Sequence, residues 1–285
     1  MKQIFISSAC IKAETIRESV TTLAAAGFNN IELSGGTKFY SKYKRDLLRL
    51  QDKYELNFLV HNYFPPPRIP FVLNLASLNN DIHKQSIEHC IRAIKLSKLL
   101  GSKKYGIHAG FLIDIRLTEI GEKIKLKKIF DRKRALSRFV DGFNKLNDIA
   151  NDDVTLYIEN NVFSHTNKKT YKSINPFLFT DFEGYLELAD QINFKPLIDL
   201  AHLKVSCNSL KIEFINQVKE LLSRSDYIHL SSNDGLHDTN KSLINDYQLI
   251  EIIKNFSLTK KYITLEIYEN LDTIKKNYEH LKTME

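Results

Sequence analysis

VTLYIENN (154–161), KPLIDLAH (195–202), DYIHLSSND (226–234) and KYITLEIYE (261–269) share one pattern. Each opens on an apolar run rich in β-branched and aromatic residues and closes on an acid or a histidine: Glu159, Asp199 with His202, His229 and Glu266. Such runs read as strands, and their near-continuous apolar character fits strands covered on both faces. Working outward, QIFISSA (3–9), NNIELSGG (29–36), NFLVHNYF (57–64) and KKYGIHAGF (103–111) repeat the pattern. Between the strands lie stretches with helical spacing of apolar residues. One, 15–27, ends on Gly27 as a C-cap signal; another, 82–100, sets Ile87, Ile91, Ile94 and Leu99 near one face and stops at Gly101.

Eight strand–helix alternations predict an α/β protein, a single (β/α)8 TIM barrel occupying residues 1–285. An open sheet satisfies the same local pattern, but eight consecutive units of similar length favour closure. Neither a GxGxxG turn nor a P-loop supports a nucleotide-binding open sheet. Two connections are unusually long: 112–133, ahead of a helix at 134–150, and 162–181, which carries the Asn175-Pro176 step. Connections of that length are candidate lids or specificity loops. The proline-rich PPPRIPF (65–71) cannot join a helix and is expected to lie across one end of the fold.

Composition narrows the class further. With 285 residues, 43% hydrophobic and 26% charged, the chain can bury a large core. No apolar run approaches the roughly 20 residues of a membrane span, and Lys2 precedes any secretory apolar region, so a cytoplasmic protein without membrane contact is expected. Cys10, Cys90 and Cys207 show neither a disulfide framework nor a zinc-knuckle spacing and read as buried thiols. The net charge of +7 points either to an anionic partner or to solvated lysine-rich faces such as 123–138; without a narrow basic stripe the second reading is preferred and nucleic acid is the disfavoured partner.

Chemistry gathers at the strand ends. Seven of the eight strands close on Glu32, His61, His108, Glu159, Asp199 with His202, His229 or Glu266, and in a barrel those ends meet on one rim. Any one of them has an ordinary structural reading as a hydrogen-bonded histidine or a strand terminus. Together they do not, because burying several carboxylates side by side is unfavourable unless a cation or protons compensate them. Carboxylate and imidazole donors without cysteine suit divalent manganese, zinc, magnesium or cobalt and do not choose among them. His83, His89 and His280 fall in helical or terminal stretches and read as surface or packing residues, and His165 sits in a polar loop.

These residues resemble the xylose isomerase-like barrel superfamily, which takes in sugar isomerases, sugar and inositol epimerases, and endonuclease IV-type apurinic-site nucleases. The resemblance runs from IELSGG (31–36) to LEIYE (265–269), with IEN (158–160), DLAH (199–202) and HLSSNDG (229–235) among its most specific pieces. By resemblance to the epimerase branch, Glu159, Asp199, His229 and Glu266 hold one metal, and Glu159 and Glu266 form the pair that moves a proton beside a carbonyl. By the same resemblance His202 hydrogen-bonds a substrate oxygen, and His108, His61, Glu32 and Asn161, at or beside the strand ends, are the further substrate-binding candidates.

The nuclease branch resembles the chain at HNYF (61–64), FVLNLAS (71–77) and GIHAG (106–110), which implies a second metal at His61 and His108 with Glu159. Its third metal needs an Asp-x-His pair beside the histidine of DLAH, where this chain has Asp238-Thr239-Asn240. On the epimerase side, the arginine that some ketose epimerases carry shortly after the strand-seven histidine is missing from HLSSNDGLHD (229–238). The resemblance therefore implies a metal-dependent isomerase or epimerase of a sugar or sugar phosphate, with a metal-dependent phosphodiesterase as the alternative. A small carbohydrate is the expected partner, a homo-oligomer is left open, and a non-catalytic binding barrel is the least favoured class.

Overall fold

The computed structural model describes residues 3–172, 174–256 and 258–284; Met1, Lys2, Ser173, Ser257 and Glu285 lie outside the described residues. Eight parallel strands close on themselves in chain order: β1 (Gln3–Ser7), β2 (Asn30–Leu33), β3 (Asn57–His61), β4 (Lys104–His108), β5 (Thr155–Glu159), β6 (Lys195–Asp199), β7 (Tyr227–Leu230) and β8 (Tyr262–Leu265). β8 pairs back onto β1 with Phe5 opposite Thr264. Each expected strand is present, and the barrel is closed rather than open.

Burial along each strand follows the pleat. Ile4, Ile6, Ile31, Val60, Ile107, Ile158, Ile198 and Ile263 belong to the main core against the helices. The alternate residues Phe5, Leu59, Tyr157, Leu197 and Tyr227, with Tyr262, fill the barrel interior as a separate cluster. Lys104 closes that end: its ammonium donates to the Tyr157 hydroxyl, lies 3.1 Å from Asp226 and sits over the Tyr262 ring at 4.3 Å. The interior beneath the strand ends is thus filled by aromatic rings and two leucines, and a cavity lies at the carboxyl ends of the strands.

Ten helices are described: α1 (Ile16–Ala25), α2 (Tyr43–Tyr54), α3 (Asn80–Leu100), α4 (Arg132–Ala150), α5 (His165–Tyr171), α6 (Phe182–Ala189), α7 (Leu200–Leu210), α8 (Phe214–Leu222), α9 (Tyr247–Asn255) and α10 (Leu271–Thr283). Their starts are legible chemically. Thr15 and Glu18 form a capping box on α1, and Asn79 and Asp131 cap α3 and α4. Gly101 ends α3 at φ 69°, a left-handed conformation that glycine adopts without steric cost. No helix among the described residues is long and apolar enough to cross a membrane. Cys10, Cys90 and Cys207 are buried and free.

The two long connections differ from simple loops. The 112–133 excursion carries a single 3-10 turn at Leu117–Glu119, while 162–181 contains the short helix α5, capped by Ser164 through the Asn167 amide at 3.3 Å. His165 is thus the first residue of a helix rather than part of a loop. The connections are tied together: the Leu112 amide donates to Pro176 O at 2.7 Å, the Ile124 amide to Asn167 Oδ1 at 3.0 Å, and the Tyr171 hydroxyl to Lys125 O at 2.9 Å. Ile113, Ile124, Phe163, Tyr171 and Phe177 form a small core of their own. The result is one cap standing beside the open end of the barrel.

Candidate metal centre

Strand register brings the predicted residues together. His108 on β4 lies opposite Glu159 on β5, and Asp199 on β6 opposite His229 on β7. Gly106 makes room for this cluster, since a Cβ there would stand 2.9 Å from the His61 ring and 2.8 Å from Leu197. Glu159 is fully buried at the centre. Its Oε2 meets His61 Nε2 at 2.7 Å and His108 Nε2 at 3.1 Å, while its Oε1 lies 3.3 Å from His229 Nδ1 and 3.7 Å from His202 Nδ1. His229 Nδ1 also stands 3.5 Å from Glu266 Oε2.

Asp199 caps α7: its Oδ1 accepts the His202 amide at 2.7 Å, which leaves Oδ2 for other use. Asn160 braces the same corner, its amide donating to Asp199 O at 3.0 Å while its oxygen accepts the Asp199 amide at 2.8 Å. The His202 ring is held at both nitrogens, Nδ1 2.9 Å from Asn160 O and Nε2 3.2 Å from Asp238 Oδ2.

Several atoms in this cluster are stranded. Glu159 Oε1, Asp199 Oδ2 and His229 Nδ1 are buried with no hydrogen-bond partner; the 3.3 Å approach of Glu159 to His229 lacks hydrogen-bond direction. Leaving a buried polar atom unsatisfied costs about 1–3 kcal/mol, more when it is charged. Three such atoms in one cluster, from the ends of three successive strands, are what a divalent cation would satisfy. Donor atoms within 4.8 Å of one another form three overlapping sets: His61, Glu159 and His229; His108, Glu159 and His202; Glu32, His229 and Glu266. Asp199 stands outside these tight sets and joins the cluster only through its stranded Oδ2, so the four residues expected as ligands are neighbours rather than one closed set.

The electrostatics express the same crowding. Burial works to raise the Glu159 pKa, but His108, His61 and His229 outweigh it and hold the carboxyl well below its usual range. Asp199 goes the other way: burial, with Glu159 and Asp238 nearby, pushes it up to about 7 against the pull of His202 and His229. Burial disfavours charge on His229, yet Glu32, Glu266 and Glu159 hold its pKa well above normal. His108 is lowered to about 4, chiefly by burial, which leaves it a neutral imidazole able to act as a ligand.

A cavity of about 800 Å³ opens above the cluster, with Glu266, His61, His108, His202, Asn161 and Asp238 among its lining. Glu159, Asp199 and His229 form the layer beneath. Glu32 lies deeper than its place at a strand end suggests, since it pairs in register with Leu59 of the interior cluster and is fully buried. Asn161 lines the cavity, but its amide nitrogen is engaged with Ala109 O, Gly110 O and Leu178 O at 2.7, 3.2 and 2.8 Å. The brace at Asn160 and the Asp238 contact to His202 were not singled out in the sequence for these roles; the doubled asparagine after Glu159 was the available signal for the first.

A closed eight-stranded parallel barrel with a buried acid–histidine cluster and stranded polar atoms at its carboxyl rim is a TIM barrel that gathers its polar chemistry at the strand ends. Within that class the chain belongs to the xylose isomerase-like TIM barrel family, whose sequence profile matches residues 20–284. No curated protein matches it by sequence. Among solved structures it is similar to a D-tagatose 3-epimerase-like protein (21% identity, TM-score 0.72, 98% of this chain and 96% of that one). It is also similar to D-psicose 3-epimerase from Clostridium cellulolyticum, solved with D-tagatose (13% identity, TM-score 0.65, 98% and 96%). Endonuclease IV from Thermus thermophilus is a third (14% identity, TM-score 0.61, 99% and 98%). At these identities the likeness is one of fold.

Proposed function

We propose that the protein is a divalent-metal-dependent isomerase or epimerase of a sugar or sugar phosphate. The observation that carries this reading is the trio of stranded atoms, Glu159 Oε1, Asp199 Oδ2 and His229 Nδ1, with Glu266 Oε2 beside the last of them. Glu159, Asp199, His229 and Glu266 would hold the cation. When bound, the cation would supply Lewis-acid stabilisation of negative charge on a substrate oxygen.

The chain's own residues supply the rest. Glu266 lines the cavity and would take a proton from a carbon next to a carbonyl; Glu159, whose Oε1 lies 3.3 Å from the same His229 Nδ1 that Glu266 Oε2 approaches to 3.5 Å, would be its counterpart for return of the proton. His202 lines the cavity and would meet a substrate oxygen through Nε2 in exchange for its 3.2 Å contact with Asp238, with Nδ1 kept on Asn160 O. The fold neighbours described as sugar epimerases agree with this reading.

Deuterated water tests it. Metal-loaded protein given a ketohexose should incorporate deuterium at the carbon beside the carbonyl, and Glu159→Gln and Glu266→Gln should each lose exchange by at least about 100-fold, the scale of general acid–base catalysis. Full turnover in both variants excludes the pair.

One observation keeps a second reading, a phosphodiesterase of the endonuclease IV kind. His61 and His108 both converge on Glu159 Oε2, as a second cation would require. Against it, Asn240 stands where a third site would need an imidazole. Robust incision of abasic-site DNA by metal-loaded protein, abolished by Glu159→Gln, would replace the sugar reading.

A further inference from the structure

The cavity is larger than the proposed chemistry needs. Its volume of about 800 Å³ falls in the roughly 300–1,000 Å³ range of pockets that enclose a ligand of drug size. A single hexose resting on His61, His108 and Glu266 would leave much of that space as water against the cap. The cap wall is not suited to water alone, because Phe111, Ile120 and Phe177 face the cavity, with Ile120 48% exposed. The bonds that tie the two long connections together, and the small core beneath them, make this wall a built surface and not a loose flap.

Two charged side chains of the cap are unspent, while Glu119 and Asn167 on the same lining are engaged within it. Glu122 and Lys123 are exposed residues of the cavity lining whose side chains make no hydrogen bond or ion pair among the described residues, and Thr166 is on the same lining. The Ile124–Asn167 bond holds this end of the excursion against the first turn of α5. An acid, a base and a hydroxyl beside aromatic and aliphatic faces is the combination that takes a polyhydroxylated ring. Vicinal hydroxyls accept from the ammonium and donate to the carboxylate, and the C–H face of the ring packs on apolar surface. A phosphate is matched less well, because Glu122 adjoins Lys123, the only lysine on the lining among the described residues.

We infer that the cap is a second sugar-binding subsite and that the substrate is a glycosylated sugar, its reacting unit at the acid–histidine centre and its second ring on the cap. This rests on the sugar chemistry proposed above, and the test separates the two. Metal-loaded protein in deuterated water is given D-fructose, its 4-O-galactosyl and 6-O-glucosyl derivatives, and D-fructose 1-phosphate. At least one disaccharide should exchange with kcat/KM about tenfold or more above free fructose, a modest gain in binding. The exposed double variant Glu122→Ala/Lys123→Ala, which removes no side-chain hydrogen bond or ion pair among the described residues, should bring that ratio close to one.

Equal kcat/KM for free and glycosylated fructose, or a preference for the phosphate over both disaccharides, overturns the subsite and leaves the catalytic reading standing. If no sugar exchanges, calorimetry on the same metal-loaded protein decides. Disaccharide binding that is tighter than fructose binding and lost in the double variant keeps the subsite while the catalytic reading falls; identical affinities in both proteins overturn the subsite.

Discussion

Glu32 Oε2 lies 3.0 Å from His229 Nε2, with both side chains fully buried. The same oxygen accepts from the hydroxyls of Tyr227 and, at 2.8 Å, Thr264, while Oε1 accepts Ser34 Oγ at 3.1 Å. Burial alone would raise the Glu32 pKa, but His229, His61 and Tyr227 bring it down to about 2. A carboxylate with no free lone pair on the His229 side fixes that ring's orientation and leaves Nδ1 turned toward Glu159 and Glu266. Under the metal assignment proposed above, this is how a carboxylate would orient a ligating histidine.

Glu32→Gln, at a residue that does not itself line the cavity, should therefore weaken metal binding by roughly 10–100-fold, because an amide NH₂ cannot accept from the Ser34 hydroxyl or from the three donors now on Oε2. Competition with a chromophoric chelator gives the affinity, and ¹⁵N spectra of His229 give its tautomer. An unchanged affinity with an unchanged tautomer would remove Glu32 from this role.

Asp199 has two separable jobs. Asp199→Ala removes both the stranded Oδ2 and the α7 cap and should cost about 1 kcal/mol for the cap even without metal. Asp199→Asn keeps an oxygen for the His202 amide and loses the charge. Both variants, and His229→Ala, should purify with less metal than wild type by elemental analysis and show a smaller rise in Tm when metal is added. Full metal occupancy in all three would sink the ligand assignment.

The cap carries its own acid sensitivity. Glu119 accepts from the Arg116 amide at 2.8 Å, the Lys125 amide at 3.2 Å and the Lys127 ammonium. Burial opposes its charge, but Lys127 and these amides bring its pKa down to about 2. A carboxyl depressed on folding means that the unfolded segment binds more protons, so its stabilising contribution is present above the unfolded value near 4.5 and is lost as pH falls toward about 2. Hydrogen exchange of amides 116–127 should accelerate over that interval relative to the barrel strands. In Glu119→Gln the acid-dependent step should be absent; its persistence would assign the step to another group.

Much of this molecule is written locally. The eight strands, their order, Gly27 and Gly101 at helix ends, and the acid or histidine at each rim position follow from residues close in sequence. Other features are not. The seven-residue α5 is too short for helical periodicity to stand out in a polar segment, and it is held by Asn167 and Tyr171 reaching the other excursion. Glu32 reads as a rim residue by its distance from the strand end. Barrel closure staggers the strands, so equal distance from an end is not equal height.

By itself the amino-acid sequence determined the (β/α)8 alternation and the donor chemistry of the strand ends, because strand pleat and apolar period are properties of neighbouring residues. Only the tertiary structure decided which donors meet. Register set His108 beside Glu159 and Asp199 beside His229, capping of α7 turned one Asp199 oxygen away and stranded the other, and packing of two distant connections raised a cap over the cavity. Those outcomes depend on closure of the whole barrel, a constraint that no single segment contains.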